Sequence, residues 1–104
     1  MQYLIVGNHP PDLCPASNKA IRQLSQEGAG EIPALAEKLG VKLLATYVPM
    51  NNHMVFVAVE ADDMNTVREF AFQSRLGQWN TVDIYQVSTL EEALTKVNEL
   101  PTIY

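Results

Sequence analysis

Apolar residues along the chain fall into short runs bounded by turn residues and into stretches of helical spacing, and these predict the elements. "QYLIVG" (Gln2 to Gly7) is a short apolar run that stops at an Asn/Pro-rich loop, the pattern of a first strand. Ser17 is a suitable N-cap for a helix through "NKAIRQLSQ", and "EGAG" should then break or kink it. A second helical piece carries Ile32, Leu35, Ala36 and Leu39 at 3.6-residue spacing and stops at Gly40. Pro33 falls in the first turn of that piece, where a missing N–H costs least. "VKLLATYV" (Val41 to Val48) and "MVFVAVEA" (Met54 to Ala61) read as strands joined by the hairpin "PMNNH". Asp62-Asp63 opens a helix with Met64, Val67, Phe70, Ala71 and Ser74 on one face, ended by Gly77. "TVDIYQV" (Thr81 to Val87) is the fourth strand. "STLEEALTKV" starts with overlapping capping boxes, Ser88…Glu91 and Thr89…Glu92. It continues as an amphipathic helix along Leu90, Ala93, Leu94 and Val97, closed by Pro101.

The order βα(α)ββαβα predicts an α+β, ferredoxin-like βαββαβ layer with an antiparallel sheet and one extra C-terminal helix. A sheet covered on one face should alternate apolar and polar residues. "MVFVAV" does not: Val55, Val57 and Val59 point one way, and Met54, Phe56 and Ala58 point the other. The economical cover for the second face is another copy of the chain, sheet against sheet. The alternative is a monomer whose last helix lies across that face.

Bulk properties narrow the classes. A chain of 104 residues has room for one domain, here 1–104. A net charge of −5 with seven Lys+Arg argues against nucleic acid as a partner. No apolar run approaches the ~20 residues of a membrane helix, so no membrane partner is expected. "MQYLIVGN" lacks a basic leader and a small-residue cleavage site, so no signal peptide is expected. One cysteine cannot form an internal disulfide, which fits a reducing cytoplasm.

In this topology strands one and two run up, and three and four run down. The loop "HPPDLCP", the hairpin "PMNNH" and the turn "RLGQWN" therefore share one end of the sheet. That rim gathers His9, Asp12, Cys14, Asn51, Asn52, His53, Arg75, Trp79 and Asn80. Three readings of it stand side by side. Cys14 with His9 and His53 could act in catalysis, the thiolate favoured by a following helix N-terminus and a histidine, with the carboxamide of Asn51 or Asn80 serving an oxyanion. His9, Cys14 and His53 could instead hold a soft transition metal, although the spacing matches no established ligand signature and assigns no metal. Or Cys14 is a small buried hydrophobe and the prolines only stiffen a connector. Arg75, Trp79, Asn80 and Asn51 are candidate ligand-binding residues, Trp79 with Arg75 as a stacking wall or Trp79 as packing under a helix end. Tyr47 and Tyr85 could direct phenols into a cleft or serve as core. Asp62-Asp63 and Glu91-Glu92 read as helix caps rather than carboxylate pairs. Gly28 and Gly30 do not follow a strand, so no phosphate loop is present.

From Glu31 to about Leu100, "IPALAEKLGVKLLATYV", "VFVAVEADD" and "QWNTVDIYQVSTLEEAL" resemble the GYD-domain proteins and their relatives in the dimeric α/β-barrel superfamily. The resemblance covers about two-thirds of the chain and rests on structural punctuation. It implies a homodimer with a cleft between sheet and helices, in a superfamily that includes cofactor-free monooxygenases, isomerases, cyclases and haem enzymes. Where the family carries Gly-Tyr-Asp, this chain has Asn51-Asn52-His53-Met54, so that signature's roles do not transfer. The expectation is a homodimeric small-molecule-binding protein, as a cofactor-independent enzyme or a binder, with no cofactor specified. The alternatives are a non-catalytic assembly or regulatory module, and a metal-binding protein using His9, Cys14 and His53.

Overall fold

The computed structural model describes residues 1–104. Strand β1 (Gln2–Asn8) leads through a short 3-10 turn (Pro11–Leu13) to α1 (Lys19–Leu39). Then come β2 (Lys42–Tyr47), β3 (Met54–Glu60) and α2 (Met64–Gln73). A second 3-10 turn (Leu76–Gln78) precedes β4 (Thr81–Val87) and α3 (Leu90–Val97). The sheet order β2-β3-β1-β4, antiparallel throughout, is the ferredoxin-like arrangement, with α3 as the extra helix.

The core lies between the sheet and α1 and α2. Tyr3, Ile5, Val55, Val57 and Val59 project from one face of β1 and β3 onto Ala36, Val67, Phe70 and Ala71. Asp63 caps α2: its Oδ1 accepts from the Thr66 backbone N–H at 2.8 Å and the Thr66 hydroxyl at 2.9 Å. Those two bonds hold the Asp63 carboxyl below its ordinary pKa. Thr89 caps α3 by accepting from Glu92 N–H.

Three local expectations are corrected. α1 is one continuous helix through "EGAG", because the apolar stripe Ile21, Leu24, Gly28, Ile32, Ala36 keeps helical spacing across it. Gly28 lies on that stripe, buried beside the Ser74 carbonyl at the end of α2. Packing thus overrides the weak propensity of two glycines and an internal Pro33. The N-cap is Asn18 rather than Ser17, since Asn18 Oδ1 accepts from Ile21 N–H at 3.0 Å while Ser17 Oγ turns back to the Pro11 carbonyl. Finally, α2 ends at Gln73 with Arg75 in the left-handed region (φ 70°), before Gly77 is reached.

β2 contains a bulge at Leu44: Leu43 pairs with Val59, but Ala45 pairs with Ala58. The extra residue reverses the alternation beyond it. Thr46, paired with Val57, faces the helices, and Tyr47, paired with Phe56, faces away.

Candidate functional site

The three rim segments meet at the end of the sheet where β1 stops and β3 starts. His9 directly follows β1, and its backbone N–H donates to the His53 carbonyl at 3.1 Å, tying loop to hairpin. The connection from His9 to α1 is held along its length. Leu13 N–H donates to Pro10 O, Cys14 N–H to Pro11 O, and Ser17 and Asn18 N–H to Cys14 O. Asn18 Nδ2 takes the Asp12 carbonyl, and the Arg22 guanidinium takes those of Pro15 and Ala16. With its carbonyls occupied, the loop is a shaped support for Cys14 rather than a slack linker.

His9 is 9% exposed and packs on Trp79, ring centroids 5.0 Å apart. Its Nδ1 lies 2.8 Å from Asn80 Oδ1. Asn80 Nδ2 donates to the Leu76 carbonyl at 3.1 Å, which orients the amide with its oxygen toward His9. His9 Nδ1 therefore carries the proton, and Nε2 presents a lone pair. That Nε2 is buried without a hydrogen-bond partner, and so is His53 Nδ1. An unpaired buried polar atom costs about 1–3 kcal/mol. The two rings meet edge-on at 5.7 Å, and the ligating atoms of His9, Cys14 and His53 all lie within 4.8 Å of one another. No hydrogen bond joins Cys14 to either ring.

A cavity of about 700 Å³ opens beside this cluster, between α1 and the sheet. Leu24, Ile32, Val55, Val57, Leu76 and Trp79 form apolar walls, and no Asp, Glu, Lys or Arg lines it. Its polar groups come chiefly from His9, Cys14, Asn51, Asn52 and His53 at the rim, with Ser25, Thr46 and Ser74 also in the lining.

The candidates from sequence separate accordingly. His9, Cys14, His53, Trp79 and Asn51 line the cavity. Asn80 stands behind His9, its amide oxygen on His9 Nδ1 and its nitrogen on the Leu76 carbonyl, and it does not line the cavity. Arg75 lies outside the cavity, its guanidinium 3.5 Å from Glu31. Asp12 is exposed in the 3-10 turn. Tyr47 and Tyr85 are exposed on the open face of the sheet and reach neither cleft nor core. Sequence reasoning missed Thr46, turned inward by the bulge, and Gly7. A Cβ at Gly7 would come 3.0 Å from Asn80 Cγ and Oδ1, so the bare backbone there makes room for the amide that orients His9.

No family model matches the chain, and no curated protein matches it either.

Proposed function

We propose that the chain is a homodimeric small-molecule-binding protein that takes an apolar ligand into the cleft under α1. The cavity carries this reading. Its ~700 Å³ lies within the range of ligand sites, and apolar walls with a few polar groups at one end are their usual chemistry. A non-catalytic assembly module calls for a filled interior, so the cavity favours the binder.

The dimer rests on uncovered apolar surface. Leu4, Phe56 and Ala58 face away from the helices and share their side of the sheet with Tyr47, Tyr85 and Val87. α3 buries none of its residues, and Leu90, Leu94 and Val97 are 75%, 58% and 56% exposed. The radius of gyration is 16.0 Å, against about 13 Å for a compact chain of this length. A second copy set against the sheet would cover this surface, and the resemblance to GYD-domain proteins implies the same assembly.

Anilinonaphthalenesulfonate tests the cleft, because Trp79 is the chain's one tryptophan and lines it. Energy transfer from Trp79 to the dye is expected, and Ala29→Phe, which projects a ring into the cavity, should abolish it. Dye uptake unchanged by Ala29→Phe would refute the cleft reading. Native mass spectrometry of the intact protein should show twice the chain mass, and a monomer at micromolar concentration would refute the dimer.

A further inference from the structure

We propose that His9 Nε2, Cys14 Sγ and His53 Nδ1 bind one late first-row divalent transition ion, zinc in type, with its fourth position open to the cavity. This deepens the cleft reading and rests on it only for what occupies that fourth position.

Four observations converge. The three donors come from separate segments, the residue after β1, the end of the 3-10 turn and the residue before β3, yet their ligating atoms lie within 4.8 Å of one another. A tetrahedral zinc site sets such atoms about 3.3–3.6 Å apart, so closing on an ion takes shifts on the order of 1 Å. Both ring nitrogens in the cluster are buried and lack any partner, and His9 as a whole is more than nine-tenths buried. Two unpartnered ring nitrogens beside one thiol are what a cation would satisfy.

The proton on His9 is also placed for it. Asn80, oriented by the Leu76 carbonyl, takes the Nδ1–H and leaves the buried Nε2 lone pair without a partner. An outer hydrogen bond of this kind orients metal-binding histidines generally. The support is stiff as well, since the loop carbonyls around Cys14 are occupied and His9 is bonded to His53 through the backbone.

The donor set chooses the ion. Two imidazoles and a thiolate suit zinc, cobalt, nickel or copper, whereas magnesium and calcium need oxygen ligands that this cluster lacks. On binding, the Cys14 thiol releases its proton to solvent and the sulfur coordinates as thiolate. One thiolate against a divalent ion leaves a net positive charge, and no carboxylate lines the cavity to offset it. The fourth position therefore favours water, hydroxide or the anionic oxygen of a ligand whose apolar body lies along Leu24, Ile32 and Val57.

Cobalt(II) added to the reduced, metal-stripped protein tests this directly. The expected result is saturation at one ion per chain with a thiolate-to-cobalt charge-transfer band, displaced by zinc. Cys14→Ser should remove the band, and His53→Ala should weaken binding at least ~100-fold. Both positions are half-buried, and circular dichroism verifies that these variants are folded. Asn80→Ala should lower affinity about 10–100-fold while keeping the band. Asn80→Asp, which retains an acceptor for Nδ1–H, should recover most of that loss, a rescue that a purely structural role would not produce. No band at equimolar cobalt in the folded wild type, or a band that survives Cys14→Ser, overturns the site. Dye uptake without a cobalt band leaves the cleft standing and removes the metal, and a cobalt band without dye uptake does the reverse.

Discussion

At the scale of single residues, the site depends on groups that never touch the cavity. Gly7 leaves the space that Asn80 occupies, and Asn80 sets the tautomer of His9. Gly7→Ala should push the amide aside. Nitrogen-15 spectra of the metal-free protein should then pass from a single Nδ1–H form of His9 to a mixture, and unchanged spectra would refute the link. Asp63 supplies a second test. Its folded carboxyl titrates below its ordinary value of 3.8, so its stabilising effect is complete above that pH and is lost as pH falls through the lowered value. Asp63→Asn should flatten the acid limb of the stability curve, measured by urea midpoints from pH 5 downward. Spacing and topology were enough to bring His9, Cys14, His53 and Trp79 to one rim. Gly7 and Thr46 were illegible, because one is a space reserved for a side chain from β4's approach and the other is turned inward by a bulge without a local signature.

At the scale of elements, the strands followed from short apolar runs bounded by turn residues, and the structure has all four. The helices mark where local signals yield to packing. "EGAG" carries the composition of a break, yet the apolar stripe from Ile21 to Ala36 runs through it, and Gly28 is buried on that stripe beside the end of α2. Pro33 keeps its cost, since it offers no N–H to the Ala29 carbonyl. Pro33→Ala should raise unfolding stability by about 1–3 kcal/mol in urea titrations. Asn18→Ala should lower it by about 1 kcal/mol, because the same side chain caps α1 and clamps the Asp12 carbonyl. The two changes act on opposite ends of the cavity's roof, so their effects should add.

For the whole molecule, sequence and structure meet at the second apolar face. The failure of β3 to alternate was visible from residue types alone, and the open side of the sheet carries Leu4, Phe56, Ala58, Tyr47 and Tyr85. What sequence left open was whether α3 covers that face within its own chain. It does not, since none of α3 is buried. In the proposed dimer, Leu94→Glu should yield a monomer in sedimentation and remove any dependence of Tm on protein concentration. A helix of eight residues of which only Ala93 is even half-buried in its own chain is too short to hold itself together in water. Ordering of the C-terminal segment and association of two chains would then be one equilibrium, and dilution would act on this part of the molecule as a denaturant does. Trypsin should therefore cut after Lys96 faster, per molecule, at nanomolar than at micromolar protein.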